Sequence, residues 1–244
     1  MGKPVNQEIK TWATTMEGYI EIYYEPWRWR LLEEKRSLAI KVMEVLQVQY
    51  KNLITHGSIA RGDVSRDSDI DIVIVDPPNP SLVELILENN GFKVKWKEII
   101  QATPTYTPKV YLYLDYEGLL VVSYPLARLG PREREFYKWG GECTLEDLRK
   151  GVRVPGVDKR LMLIEPTNWG HRESPVIGRE GYAAKLLGIS IETVIERVRV
   201  LTRRKEHGRT GVFLKVELNS EESVEETVIR IARENPLFRK RLGI

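Results

Sequence analysis

The sequence predicts an α+β protein, a mixed sheet with flanking helices followed by a smaller unit rich in basic helix. Three observations lead to that class. Apolar residues recur at helical spacing between Trp29 and Gln49, several central stretches read as strands, and basic charge gathers in the C-terminal third. At 244 residues the chain can bury a proper core, as one large or two small units. Its 42% hydrophobic and 30% charged residues are those of a soluble globular protein, and no apolar run reaches the ~18 residues of a membrane span. The N-terminal MGKPVNQEIK lacks the apolar core of a signal peptide. A single cysteine, Cys143, excludes an internal disulfide framework and a cysteine-based zinc site, and fits the reducing cytoplasm expected for this chain. The three histidines, His56, His171 and His207, are scattered, so a metal is expected on oxygen ligands, which points to Mg²⁺ or Mn²⁺.

In chain order, GYIEIYYEPWRWR reads as an edge strand whose amphipathic side chains cover the next helix. In that helix Leu32, Leu38, Val42, Val45 and Leu46 fall near one face. LITHGS leads into a polar loop, and IDIVIV (70–75) is a buried strand stopped by Asp76-Pro77-Pro78-Asn79-Pro80. Residues 81–90 read as a helix ending at Asn90-Gly91. FKVKW, KVYLYL and LLVVSYPL are strands, the last two joined at Asp115-Tyr116-Glu117-Gly118 as a hairpin. PREREFYKW is a charged helix closed by Gly140-Gly141. Residues 1–141 therefore make a first domain. Residues 142–176, punctuated by Pro155, Gly156, Pro166, Gly170 and Pro175, read as a connecting segment, and 177–244 as a second domain.

The stretch HGSIARGDVSRDSDIDIVI (56–74) carries the chemistry. Alternation along a strand sends Asp69 and Asp71 to one face while Ile70, Ile72 and Ile74 turn to the core. Two such carboxylates repel unless a cation sits between them, and two oxygen ligands completed by water and phosphate suit Mg²⁺. Upstream, Gly57 permits the close backbone approach that a phosphate needs, and Ser58 offers a hydroxyl and an N–H at the start of a short helix. A phosphate cradle beside a metal clamp suits in-line attack on an α-phosphate.

Gly57-Ser58, the spacer 59–68 and Asp69-Ile70-Asp71 before an apolar strand resemble the signature of the DNA polymerase β-like nucleotidyltransferase superfamily. The resemblance is close over 56–75 and extends over roughly 30–140. It implies a mixed-sheet, palm-like core, a nucleoside triphosphate donor and two divalent ions, with Gly57 and Ser58 binding nucleotide and Asp69 and Asp71 binding metal. Active members carry a third acid on a neighbouring strand. Here LLVVSYPL has Ser123 near that place, which leaves Asp115 as the substitute, and Asp115 reads equally as a hairpin-turn residue. Asp63 and Asp67 read as solvated loop residues, while Arg61 and Arg66 read either as phosphate contacts or as surface residues. A fainter echo lies in KRLMLIEPTNWGHRES (159–174), where Glu165 replaces the acid of the segment following the palm in CCA-adding and poly(A) polymerases.

Between Ile177 and Leu218, nine Lys/Arg stand against five Glu, a net +4 in a chain of net +3. YAAKLLGISIETVIERVRVLTRR has two helical periods around a Gly-Ile-Ser turn, with Ser190 as N-cap of the second. With RKEHGRTGVFLKVEL read as a hairpin, the unit resembles a winged helix-turn-helix. Arg203, Arg204, Lys205, His207 and Arg209 would then contact nucleic-acid phosphates. Glu192 and Glu196 near the start of the second helix oppose groove reading. Residues 223–242 read as a terminal amphipathic helix. Two functions follow: a metal-dependent transferase moving a nucleoside monophosphate from an NTP to a nucleic acid or protein, or a DNA-binding regulator with a catalytically impaired, nucleotide-sensing domain.

Overall fold

A computed structural model describes residues 13–16, 18–208 and 211–244. β1 (Ala13–Met16) and β2 (Tyr19–Tyr23) pair antiparallel. α1 (Pro26–Gln47) opens on Pro26, whose fixed φ and missing N–H suit a first helical turn, so the helix begins earlier than the apolar period alone suggests. It buries Leu32, Ala39, Val42, Met43 and Leu46. β3 (Leu53–His56), the four-residue α2 (Ser58–Arg61) and β4 (Ile70–Ile74) carry the motif. α3 (Pro80–Asn89) follows, capped by the Asn79 side chain, which accepts from the Leu82 N–H. β5 (Trp96–Gln101), β6 (Lys109–Tyr113) and β7 (Leu120–Pro125) form a meander, and α4 (Pro131–Gly140) crosses back.

β4 lies parallel to β7 and antiparallel to β3, so the central sheet is mixed. Its two faces differ in cover. Ile70, Ile72 and Ile74 join Val122, Leu112 and Ile99 under α1 and α3 in the main core. The opposite face, with Ile54, Val73 and Val75, is covered by Tyr137 and Phe136 of α4. That second face carries the site.

The segment 142–176 is not a connector. It forms β8 (Glu142–Cys143), α5 (Leu145–Arg149), β9 (Gly156–Val157), β10 (Met162–Thr167) and β11 (Gly170–Pro175). β8 adds to the edge of β3, whereas β9, β10 and β11 join β1 and β2 in a second, antiparallel sheet of order β1-β2-β11-β10-β9. The pattern is hard to read because β8 and β9 have two residues each and β11 buries polar residues, His171, Glu173 and Ser174. Gly156 permits the junction: a Cβ there would lie 2.6 Å from the Gly140 carbonyl, so β9 docks backbone to backbone on the end of α4.

α6 (Glu180–Leu187) and α7 (Ile191–His207) form the expected helix-turn-helix, with the Ser190 hydroxyl capping Thr193 N–H. They pack through Ala183, Ala184 and Val194 onto Trp139, Val157, Leu163 and Val176, so the pair shares a core with α4 and the second sheet. The wing is not formed as expected. α7 runs through Arg203, Arg204 and Lys205 to His207, and β12 (Leu214–Asn219) pairs with β5 at the edge of the central sheet. Burying Leu218 against the main core and satisfying the β5 edge outweighs a local hairpin. The central sheet therefore has the order β12-β5-β6-β7-β4-β3-β8. The terminal helix is two, α8 (Val224–Glu234) and α9 (Pro236–Leu242), divided at Asn235-Pro236, where proline cannot continue the first and asparagine caps the second. Val224, Ile231 and Phe238 join the main core. Among the described residues no helix is long and apolar enough to cross a membrane.

Candidate functional site

The site begins where β3 ends. Gly57 adopts φ 81° and ψ −145°, a backbone state that L side chains rarely reach. Its N–H donates to the Gly141 carbonyl at 2.9 Å, and its carbonyl accepts from Ala60 and Arg61 N–H, which starts α2. Arg36 of α1 holds the other end of that short helix, donating to the Ile59 and Ala60 carbonyls at 3.0 Å each. The geometry leaves the first-turn N–H groups at Ser58 outside the helical ladder. Arg61 is not a free phosphate contact. Its guanidinium is buried and donates to the Gly140 carbonyl at 2.6 Å and to Asp63 at 2.9 Å, so Asp63 is an ion-pair partner rather than a solvated loop residue.

Asp69 stands just before β4 and Asp71 within it, on the face away from the isoleucines. Asp71 lies opposite His56 across the β3–β4 ladder, with His56 Nε2 4.0 Å from its Oδ2. That approach is not an ion pair, because burial foremost, then Lys109, Arg61 and Lys159, push His56 down to about 3 and keep the ring neutral. Burial and then the Asp69 charge push Asp71 up to about 7, with Lys159 opposing. The pair thus resists double ionisation near neutral pH, which is the electrostatic condition that a bound cation relieves. Two hard oxygen donors fit Mg²⁺ or Mn²⁺ completed by water and nucleotide phosphate. They do not fit an all-protein cage, since among the described residues no group of three His, Cys, Asp or Glu is placed to hold a metal.

Asp115 does not join the pair. Its Oδ1 accepts from the Leu119 N–H at 2.9 Å, closing the turn between β6 and β7. On β7, Val121 sits beside Asp71 and Ser123 beside Val73, and the next strand brings Tyr113 and Tyr111. Beyond them on that side lies Glu98 on β5, held by the Tyr113 hydroxyl and by Lys215, each at 2.9 Å, and on the other side Glu142 of β8 stands opposite His56 and is paired with Arg134. On the β7 and β6 side the two aspartates therefore face a valine, a serine and two tyrosines rather than a third carboxylate.

Sequence reasoning missed four further residues. His56 is the one with a signal available, because it immediately precedes the Gly-Ser step. Tyr137 and Phe136 reach the face only through the crossing of α4: the His56 ring meets them edge-on at 5.1 and 5.9 Å. Lys109 lies among them, donating to the Tyr137 hydroxyl at 2.8 Å. Of the basic residues expected to meet nucleic acid, Arg203, Arg204 and Lys205 are exposed on the last turns of α7, away from any wing. Arg209 lies outside the described residues. Glu165 accepts from the Tyr182 hydroxyl at 3.0 Å on the second sheet and takes no part in the site.

Residues 39–113 match the family model described as nucleotidyltransferase domain. That span holds Gly57, Ser58, Asp69 and Asp71 together with most of the sheet that positions them, and it supports nucleotidyl transfer as the general class of chemistry. Among solved structures the chain is similar to one of Cid1, described as providing a basis for RNA terminal uridylyl transferase activity, at 16% identity and a TM-score of 0.29. The likeness covers 42% of this chain and 31% of that one, and so partial a superposition carries no argument about substrate. The search of the curated proteins returned no match.

Proposed function

We propose that the chain is a nucleotidyltransferase that moves a nucleoside monophosphate from an NTP to an acceptor. The observation that carries this reading is the juxtaposition of the positive-φ Gly57-Ser58 turn with Asp69 and Asp71, the second pushed up to about 7 by burial and by the charge of the first. In this reading Ser58 and the first-turn N–H groups of α2 take the β- and γ-phosphates. Asp69 and Asp71 hold a divalent ion, which when bound would polarise the α-phosphate and stabilise the charge of attack. His56, neutral and packed against Phe136 and Tyr137, keeps water from one side of Asp71. The basic turns of α7 at Arg203, Arg204 and Lys205 present the acceptor.

The test is incubation with each labelled NTP and Mg²⁺ or Mn²⁺, scored for label on nucleic acid and on protein. Asp69→Ala and Asp71→Ala should each abolish transfer, and transfer surviving in either variant removes the metal-clamp assignment.

A second reading is favoured by one feature, the absence of an acid at Val121 and Ser123 on the strand beside Asp71. It holds that the domain binds nucleotide without turnover and regulates a nucleic-acid-binding unit. Nucleotide binding at unchanged affinity with no transfer to any acceptor would select it.

A further inference from the structure

Two cations beside the face of the Asp69–Asp71 pair, Lys109 and Arg197, lack a carboxylate partner, and the exposed Arg204 lies beyond them on α7. Lys109 is drawn down to about 8 by burial, with Glu133 opposing. Its ammonium donates to the Tyr137 hydroxyl at 2.8 Å and lies 4.6 Å over that ring and 5.6 Å from the centre of Phe136. Arg197 of α7 stands over the same Phe136 at 4.9 Å, and its Nε is fully buried without a hydrogen-bond partner. Burial foremost, and then the neighbouring Arg204 charge, lower Arg197. Arg204 follows Arg197 by seven residues on α7, two helical turns further along one face, roughly 10 Å towards solvent. None of the ion pairs formed among the described residues involves Lys109, Arg197 or Arg204.

Desolvated cations without carboxylates are costly, and an aromatic ring returns only a part of that cost. The α7 carboxylate closest in sequence, Glu196, is already engaged by Arg132 at 3.1 Å and by the Tyr106 hydroxyl. What remains is a line of unneutralised charge that starts beside His56 and Phe136 at the aspartate pair and leaves the molecule along α7.

We infer that Lys109, Arg197 and Arg204 form a phosphate track for a single-stranded nucleic acid, leading its end to Asp69 and Asp71. The inference deepens the proposed transferase reading by assigning the acceptor class, and it rests on that reading for the direction of the track. A single strand fits better than a duplex, because Lys109 of β6 and Arg197 of α7 are half-buried against the aromatic residues of α4, where a rigid duplex surface would reach them less readily than a flexible strand. An acidic protein segment is the competing occupant. Repeated phosphates match charges spaced along a helix axis.

The experiment uses the whole chain and a labelled, short single-stranded oligonucleotide, with affinity measured across a salt series. Lys109→Met and Arg197→Met should each weaken binding about tenfold, the value of one charge-assisted contact. Arg204→Met should weaken it less. Each variant should lower the slope of log affinity against log salt by about 0.7, as expected for one lost phosphate contact on a single strand. Lys41→Met, exposed on α1 over the opposite face of the sheet, serves as the control and should change neither. Melting temperatures separate binding from folding: removing an unpaired buried cation should leave the melting point unchanged or raise it.

Unchanged affinity and slope in Arg197→Met and Arg204→Met overturn the track. So does a lower melting point without loss of binding, or preference for an acidic peptide over the oligonucleotide. Binding of a Mg²⁺–ATP analogue, measured in parallel, should be the same in all variants. Loss of analogue binding in Lys109→Met would move that cation to the donor and overturn its place in the track. Strand binding with its salt slope intact, but no nucleotide binding by the parent chain, sinks the transferase reading and leaves the track standing.

Discussion

Replacing Phe238 by alanine should destabilise the whole molecule, although Phe238 lies only six residues from the last. Phe238 is fully buried in α9, in one cluster with Ile231 of α8, Leu218 of β12, Ile99 of β5 and Ile72 of the aspartate strand. Truncating a phenylalanine in such a place costs about 3–5 kcal/mol, the lost transfer energy plus the cavity left behind. That is a large share of the roughly 5–15 kcal/mol that holds a domain together. For a chain of this length each kcal/mol lowers the melting point by about 2–4 °C, so a fall of roughly 6–20 °C is expected. The assay is urea unfolding followed both by tryptophan fluorescence and by binding of a nucleotide analogue. Both signals should be lost in a single transition, because β12, α8 and α9 complete the core beneath Asp71. A cost below about 1 kcal/mol would refute the reasoning. So would two transitions with only the smaller one displaced, since that is the behaviour of an independent C-terminal domain.

The remaining predictions concern the site and its supports. Gly57→Ala meets no neighbour within 4 Å but must hold φ at 81°, so it should cost about 1–2 kcal/mol in strain and weaken nucleotide binding through the turn rather than through a clash. Binding by isothermal titration checks it. Lys109, pushed down to about 8 by burial, is charged in both folded and unfolded chains below that pH and carries its full desolvation cost there. Stability should therefore rise by up to about 3 kcal/mol between pH 8 and its ordinary value near 10.5, and Lys109→Met should flatten that rise in urea midpoints. Burial alone would raise Glu173, but hydrogen bonds from His171 and Arg160 outweigh it and hold the carboxyl at about 2. Its contribution is present above its ordinary 4.5 and is lost as pH falls from there towards 2, so Glu173→Gln should lose stability at neutral pH and show a shallower acid limb in melting curves.

What was legible before the structure was what repeats locally. The strand IDIVI, the hairpin around Asp115 and the helices 80–89 and 131–140 follow from period, proline and glycine, and they stand close to where those signals place them. The aspartate pair was legible for the same reason, since alternation alone sends both carboxylates to one face. What was not legible depends on contacts distant in sequence. The return of residues 214–219 to β5 is decided by an open sheet edge more than a hundred residues earlier, and the same letters, Leu-Lys-Val-Glu-Leu, serve equally for a local wing. The second sheet is hidden for a related reason, because β9 and β11 gain their place from Gly140-Gly141 and from β2 rather than from any strong pattern of their own.

The missing third carboxylate and the unneutralised cations are two sides of one electrostatic problem. A face with three acids would draw Lys109 into an ion pair and spend its charge internally. With Val121 and Ser123, β7 adds no acid beside Asp71, whose carboxyl is pushed up by burial and then by the Asp69 charge while His56 stays neutral. Negative charge at the aspartate pair, opposed by Lys159, and positive charge at Lys109 and Arg197 are thus left without ion-pair partners together. A cation answers the first and a phosphate the second, and a nucleotide with its metal beside a strand of nucleic acid brings both. If Ser123→Asp were made, its acid would stand beside Val73 and across from Tyr111, within the same face. Turnover rising by about tenfold in that variant, with phosphate-track binding weakened, would show that the two charge sets are balanced against each other rather than independent. A rise in turnover with strand binding untouched would separate them.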